Sequence, residues 1–218
     1  MARLGMVIDI KKCMTCYSCM IACKQEHFLP PETYWGRLIV GDMGKKYPEA
    51  RKKVYPVLCN HCKEAVCVDV CPVEATARRD DGIVTIDPDK CIGCQSCVIA
   101  CPYQQRTFHE DNDREYFPGQ GLTEYEAIGL MLYPLKAGTV IKCNFCIERI
   151  DEGIKKGLKP GIDRDATPAC VNACPTNSRH FGDLDDPDSK VSLLIREKKG
   201  FPLHPEWDTD PSVFYVDY

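Results

Sequence analysis

The sequence lacks the features that mark several large classes of protein. No apolar run approaches the ~20 residues that cross a bilayer, and the first residues contain neither a long apolar signal core nor a twin-arginine pair. The formal net charge of -4 gives no basis for nucleic-acid binding. We therefore expect no direct membrane insertion and no nucleic-acid partner.

Motifs of enzymatic catalysis are missing as well. The sequence has no phosphate-binding glycine loop, no serine–histidine pair and no H-E-x-x-H. His61 lies inside a cysteine motif, where a turn residue is a better interpretation than a metal ligand, and the other histidines share no pattern. We expect no catalytic site in this chain.

Cysteine, by contrast, is abundant: the chain has 16 in 218 residues. They form four motifs of four, with none left over. The first and third motifs are spaced C-x2-C-x2-C-x3-C, the second is C-x2-C-x4-C-x3-C, and the fourth is split into C-x2-C and C-x3-C. In chain order the motifs are Cys13, Cys16, Cys19 and Cys23; Cys59, Cys62, Cys67 and Cys71; Cys91, Cys94, Cys97 and Cys101; and Cys143, Cys146, Cys170 and Cys174.

This spacing is that of bacterial ferredoxins, in which three cysteines hold one [4Fe–4S] cluster and the fourth reaches the neighbouring cluster. We expect the fourth cysteine to open a helix that points away from the loop. Structural zinc sites pair two C-x2-C units across a longer spacer, and only the fourth motif resembles that. Disulfides fit less well, because four cysteines within eleven residues make poor bridges. The pattern therefore favours four [4Fe–4S] clusters over zinc or disulfides.

The crossover rule predicts how the motifs pair. The second and third are joined by a short linker with a turn at 80–82 and a β-branched strand at Ile83–Ile86, so the first and fourth must pair with each other. The predicted ligand sets are Cys13/Cys16/Cys19/Cys174, Cys23/Cys143/Cys146/Cys170, Cys59/Cys62/Cys67/Cys101 and Cys71/Cys91/Cys94/Cys97.

The predicted fold class is α+β, with two nested bacterial-ferredoxin-like units, short strands and helices, and loop-rich insertions. The outer unit comprises residues 1–58 and 103–218, including an insertion and a C-terminal tail. The inner unit comprises residues 59–102.

The nested order resembles the four-cluster electron-transfer subunits of complex iron–sulfur molybdoenzymes, the dimethyl-sulfoxide-reductase superfamily. The resemblance covers nearly the whole chain and includes the short subunits of arsenate, polysulfide, thiosulfate and tetrathionate reductases. The segments that carry it are GMVIDIKKCMTCYSCMIAC, LCNHCKEAVCVDVCPVEA, DKCIGCQSCVIACPY, KCNFC and PACVNACPTNSRHFGDLDDPDSKVSLLI. Val66 replaces the usual proline of the second motif, and Cys94 stands where some relatives have a tryptophan and a [3Fe–4S] cluster.

The resemblance implies a non-catalytic subunit of an oxidoreductase complex, which serves as a relay in anaerobic respiration. Electrons would pass between a molybdenum- or tungsten-pterin catalytic subunit and a quinone-linked membrane subunit or soluble carrier. The cluster of the first motif would lie nearest the catalytic subunit, followed by those of the fourth, third and second motifs. The chain would be co-exported to the periplasmic side with its partner, the alternative being a cytoplasmic complex. A free, diffusible polyferredoxin is the alternative function.

The segments between motifs give weaker signals. Residues 24–58 carry Trp35 and a basic patch of Lys45, Lys46, Arg51, Lys52 and Lys53, expected as a solvated loop or, alternatively, a docking surface. Residues 103–142 contain the acidic run 110–115 and an apolar stretch that predicts a helix, packed in the core or facing a partner. A second helix is predicted after Cys146. Lys142 and Arg149 flank cysteines, where their charges would raise cluster potentials unless they are simply solvated.

Overall fold

The computed structural model describes residues 2–42, 52–111 and 115–217. Its elements are short and mixed, as expected for the α+β class. The helices are α1 Ser18–Glu26, α2 Val66–Asp69, α3 Ser96–Ala100, α4 Glu124–Leu132, α5 Ile147–Lys155, α6 Ala169–Asn172 and α7 Lys190–Glu197. The strands are β1 Leu4–Asp9, β2 Gly36–Asp42, β3 Lys52–Leu58, β4 Thr76–Arg78, β5 Val84–Ile86, β6 Thr107–His109, β7 Thr139–Ile141, β8 Arg179–Asp183 and β9 Val213–Val216.

A three-stranded sheet joins the two ends of the chain. Its order is β8-β1-β9, with β1 antiparallel to β8 and parallel to β9. Every residue of β1 is buried, because successive side chains point to opposite faces and both faces are covered. Met6 and Ile8 belong to the main core, whereas Val7 packs with Val191 of α7 and Val216 of β9. The sheet therefore separates the core that contains cysteines from a peripheral helix.

Three two-stranded antiparallel pairs complete the β-structure of the described residues: β2–β3, β4–β5 and β6–β7. The strand predicted at Ile83–Ile86 is confirmed as β5, which pairs with β4 across a turn where Gly82 has a φ of +82°. These pairs do not merge into one sheet in the part of the chain that is described.

The helix predicted in the segment 103–142 is confirmed as α4, but the interpretation that packs its apolar face in the core is wrong. Thr123 and Glu126 form a capping box at its start. Its large apolar side chains face outward, with Met131 75% and Leu132 69% exposed. The helix packs against Phe28 at Gly129, where the absence of a Cβ atom leaves room for the phenylalanine side chain. An apolar helix face is thus left on the surface.

The basic patch lies mostly outside the described residues. Lys45, Lys46, Arg51 and the side chain of Lys52 are not described, and Lys53 forms an ion pair with Asp217. Trp35 is buried and so does not belong to a solvated loop. Residues 112–114 of the acidic run also lie outside the described ranges. Among the described residues, no helix combines the length and apolarity that a bilayer crossing requires.

Gly161 fixes the loop that leads from α5 to α6. Its φ is +82°, and an added Cβ would lie 1.9 Å from the Phe181 carbonyl oxygen of β8. Gly157 has a similar φ of +77° but open space around the Cβ position. The two glycines share the backbone penalty of about 1–2 kcal/mol for a non-glycine residue, and Gly161 alone adds a collision with the backbone.

We therefore expect Gly161→Ala to lower the thermal unfolding midpoint of the iron-loaded chain clearly more than the matched control Gly157→Ala. Differential scanning calorimetry of both variants checks the difference. Equal midpoints in the two variants would contradict the close approach of this loop to β8.

Candidate metal centres

The sixteen cysteines come together in four groups, which we name sites 1 to 4. Site 1 is a cavity with about 330 Å³ free of protein atoms, partly open to solvent, lined by Cys13, Cys16, Cys19 and Cys174. Cys13 and Cys16 come from the loop between β1 and α1, Cys19 comes from the first turn of α1, and Cys174 follows α6. The antiparallel pairing of β1 with β8 keeps these two distant segments together.

Site 2 contains Cys23, Cys143, Cys146 and Cys170. Burial raises the pKa of Cys23 well above its usual value, and the adjacent thiols of the other three raise it further. Cys143 and Cys146 are buried, and Cys23 and Cys170 are partly buried by side-chain area. This is the most enclosed of the four groups.

Sites 3 and 4 lie in the middle of the sequence. Site 3 has about 390 Å³ and site 4 about 310 Å³ of space free of protein atoms, and both cavities are partly open to solvent. The cysteines of site 3 are Cys59, Cys62, Cys67 and Cys101, and those of site 4 are Cys71, Cys91, Cys94 and Cys97.

Each site combines three cysteines of one motif with the fourth cysteine of another. These groups have the same members as the four predicted ligand sets. Their proximity is a property of the structure, whereas the ligation of one cluster by each group stays a prediction.

Local backbone geometry explains how the loops present their thiols. The second residue between the first two cysteines has a positive φ in every motif: Thr15, His61, Gly93 and Phe145. This left-handed residue reverses the chain within a tight turn. At Gly93 an added Cβ would also lie 2.2 Å from the Gly138 carbonyl oxygen. The turn directs consecutive thiols of one motif toward the same cavity.

The position of the helices differs from the prediction. Cys19, Cys67, Cys97 and Cys170, the third cysteines, lie in the first turns of α1, α2, α3 and α6. The fourth cysteine lies near or just beyond the far end of a short helix, so it does not open one. The helix length thus carries the fourth thiol across to the neighbouring site. In the other three motifs a proline directly follows the fourth cysteine. In the first motif Lys24 stands at that position, and α1 continues to Glu26.

The thiol environment supports a metal-bound state. Burial raises the pKa of Cys62 to about 12, with the thiols of Cys59, Cys67 and Cys101 adding to the shift. Burial likewise raises the pKa of Cys143 to about 12. Coordinated metal reverses this effect, because a ligating thiol is deprotonated outright. The described residues include no three Cys, His, Asp or Glu side chains that converge on a single ion. Thiols arranged around a cavity fit a cluster with several corners.

Three buried cations approach these sites. They are Arg106, Lys142 and Arg179, each less than 7% exposed; Lys24 is also buried, but its ammonium group donates to the carbonyl oxygens of Pro30, Pro31 and Thr33. The sequence indicated Lys142 but missed both arginines, although each lies five residues after the last cysteine of its motif, in the pattern C-P-x3-R. The other predicted cation, Arg149, is half-buried and its guanidinium lies 3.0 Å from the Glu26 carboxylate. Its charge is therefore largely compensated.

Aromatic rings connect site 2 with site 3. His61, inside the motif of site 3, is fully buried and lies 3.8 Å between ring centroids from Phe145, inside the motif of site 2. Cys59 of site 3 also contributes to the raised pKa of Cys143, after burial and Cys170. Site 2 therefore adjoins site 3, and the predicted order in which the fourth motif leads to the third is wrong.

Two histidines have roles that the sequence did not indicate. The Nδ1 atom of His61 accepts a hydrogen bond from the Val84 amide at 3.0 Å, and burial lowers the pKa of His61 well below its usual value. His27 lies with its Nε2 atom 3.3 Å from the Cys146 sulfur and packs against Trp35. Both rings are neutral packing partners of the cysteine loops.

Comparison with known proteins agrees with this geometry. Residues 50–116 match the model of a 4Fe-4S dicluster domain, and residues 10–34 match that of a 4Fe-4S binding domain. These two segments contain the first three cysteine motifs in full, so ferredoxin-type cluster binding extends over most of the cysteine loops.

Three relatives align along almost the full chain. The arsenate respiratory reductase iron–sulfur subunit ArrB of Shewanella sp. strain ANA-3 is 38% identical, over 98% of this chain and 96% of its own length. The Hdr-like menaquinol oxidoreductase iron–sulfur subunit 1 of Archaeoglobus fulgidus is 37% identical, over 98% and 83%. The B subunit of tetrathionate reductase from Salmonella typhimurium is 32% identical, over 98% and 72%. The chain belongs to the family of iron–sulfur electron-transfer subunits of the dimethyl-sulfoxide-reductase superfamily.

Proposed function

We propose that this chain relays single electrons through four [4Fe–4S] clusters between a molybdenum- or tungsten-pterin catalytic subunit and a quinone-linked membrane subunit or soluble carrier. The observation that carries the proposal is the succession of four four-cysteine sites. Among the sixteen cysteines, Cys16 in site 1 and Cys94 in site 4 are the exposed ones. The series thus has an accessible cysteine at each end and enclosed sites between.

The residues of each site would hold one cluster, which when bound supplies a one-electron redox couple. Four cysteines complete its coordination and leave no position for a substrate. Burial of Cys59, Cys143 and Cys146 keeps water from the inner sites, and burial is one of the properties that set a cluster potential. The chain's own task is to hold the sites close together and dry, and the chemistry on substrate belongs to a partner.

An obligate subunit is a better interpretation than a free polyferredoxin. Exposed apolar side chains surround both accessible ends: Met14, Tyr17 and Ile21 near site 1, and Ile92 and Ile99 near site 4. The outward face of α4 adds Met131 and Leu132. Apolar groups of this size on a surface mark contacts with other proteins, and a diffusible carrier has little use for several of them.

The names of the relatives support the partners. Two are subunits of arsenate and tetrathionate reductases, which makes a catalytic subunit the partner at one end, and one belongs to a menaquinol oxidoreductase, which favours quinone chemistry at the other. We place site 1 next to the catalytic subunit and site 4 next to the second partner. The final location is the periplasmic side, reached folded with the exported catalytic subunit, and a cytoplasmic complex is the alternative.

Affinity purification of the tagged chain from its native source tests the partnership. We expect a large subunit with stoichiometric molybdenum or tungsten to co-purify, as measured by mass spectrometry and elemental analysis, and the complex to fractionate with periplasmic markers. Recovery of the brown chain alone at low salt, with its iron intact, would favour the free polyferredoxin.

The crossover of ligands gives a second prediction, because Cys23 is the fourth cysteine of the first motif but belongs to site 2. Cys23→Ser should alter the same EPR signal as Cys146→Ser and leave the signal altered by Cys16→Ser intact. Cys174→Ser, the reciprocal control, should alter the signal affected by Cys16→Ser. If Cys23→Ser and Cys16→Ser changed one common signal, the proposed ligand sets would be wrong.

A further inference from the structure

Three buried cations lie at the three junctions of the four-site series. Arg106, Lys142 and Arg179 are 5%, 4% and 6% exposed. A buried charge is costly unless it is compensated, so each position needs a reason. Thiols of the adjoining sites supply it for the two arginines, and for Lys142 two backbone carbonyls, one beside each adjoining site, accept its hydrogen bonds.

Arg106 lies between sites 3 and 4. Its Nη2 atom donates a hydrogen bond to the Cys67 sulfur of site 3 at 2.9 Å, and its Nη1 atom donates to the Thr76 hydroxyl at 3.3 Å. Thr76 lines the cavity of site 4. Thiols of both sites, Cys67 and Cys59 on one side and Cys97 on the other, raise the pKa of Arg106 although burial acts against it.

Arg179 has the corresponding position between sites 1 and 2. It lines the cavity of site 1 together with Cys19 and Cys174, and its Nη1 atom lies 3.9 Å from the Cys170 sulfur of site 2. Arg106 and Arg179 each lie five residues after the cysteine of a Cys-Pro pair. In each of the two pairs of motifs, a guanidinium group thus lies between the two sites, and it comes from the same position after the Cys-Pro pair.

Lys142 lies between sites 2 and 3. Its ammonium group donates hydrogen bonds to the carbonyl oxygen of Cys143 at 2.8 Å and to that of Val84. Cys143 belongs to site 2, and Val84 lines the cavity of site 3. Both contacts are to neutral carbonyls, so the positive charge of the ammonium is not compensated by a carboxylate among these partners.

We propose that Arg179, Lys142 and Arg106 are positioning residues that act through the adjoining thiolates, each setting the reduction potentials of the two sites that it touches. This inference rests on the proposed electron-transfer function and adds which residues raise the reduction potentials along the series of sites. In each transfer one electron leaves the site on one side of the cation and enters the site on the other. The first is oxidised by one electron and the second reduced by one, and no proton or bond is transferred.

A shared cation affects both sites in the same direction. Fixed positive charge stabilises added electrons, and in a dry interior its effect is much larger than in water. Because the cation lies between the sites, it raises both potentials and adds little to the difference between them. Removing the charge should therefore lower two neighbouring potentials together and leave the distant sites nearly unchanged.

The test uses the complete iron-loaded complex with three neutral variants, Arg106→Gln, Lys142→Gln and Arg179→Gln. Iron content and low-temperature EPR first count the clusters, and redox titration followed by EPR then gives each potential, with signals assigned by the cysteine variants. We expect each neutral variant to reduce the equilibrium constant for reduction at least tenfold at its two adjoining sites. Tenfold corresponds to about 59 mV for one electron. Arg106→Lys and Arg179→Lys, which keep the charge, should shift less.

Lys90→Gln is the matched control, since Lys90 directly precedes Cys91 as Lys142 precedes Cys143 but is exposed. Unchanged potentials in the neutral variants, a uniform shift of all four, or an equal shift in Lys90→Gln would overturn the proposal. If Arg106→Gln does not retain its clusters, Arg106→Lys decides: full clusters with near-normal potentials support a charge effect, and their loss shows a packing role instead. Fewer than four clusters in the unmodified chain would refute the proposed function and not this inference.

Discussion

A thiolate inside a protein must be compensated by positive charge, and this chain brings sixteen cysteines together in 218 residues. Burial alone keeps thiols protonated, as the raised pKa values of Cys62 and Cys143 indicate. Iron in a cluster supplies most of the required positive charge, and buried side-chain cations supply more. Much of the architecture follows from this need, because loops, strands and cations are arranged around four cysteine sites, and Cys59 and Cys143 of the inner sites belong to the main core cluster.

The same need explains why the two ends of the chain meet. Sites 1 and 2 each combine cysteines from both ends, so neither is complete until β1 has paired with β8. The sheet supplies this pairing, and its buried residues Met6, Ile8 and Tyr215 share a core cluster with Cys143. Cluster binding and the docking of the termini are consequently parts of one folding process, as is usual where metal ligands come from distant segments.

Sequence reasoning reached the cysteine grouping because spacing and crossover are local rules that need no tertiary information. It also located α4, α5 and the β4–β5 hairpin. It failed where contacts between residues distant in sequence determine the structure. The apolar pattern of α4 left two packings open, and the outward one follows from its contact with the body through Gly129 and Phe28. The order of sites depends on the contact of His61 with Phe145, two residues 84 positions apart that no spacing relates. Arg106 and Arg179 both occur in the pattern C-P-x3-R, but the sequence does not indicate whether a charged side chain will be buried.

The end sites and the middle of the series differ in how charge is screened, because the exposed cysteines lie at the ends. At the ends, Cys16 and Cys94 are exposed and each receives local support from a serine two residues later, Ser18 or Ser96, whose hydroxyl lowers the pKa of the thiol. Solvent of high dielectric constant screens added charge there. Between the sites the chain excludes water, and an added electron would be felt strongly by its neighbours. Fixed cations between neighbouring sites stabilise added negative charge in the interior, as solvent does at the ends. Lys142 is accordingly buried where screening is weak, whereas Lys90, which also directly precedes a cysteine, is exposed where water suffices.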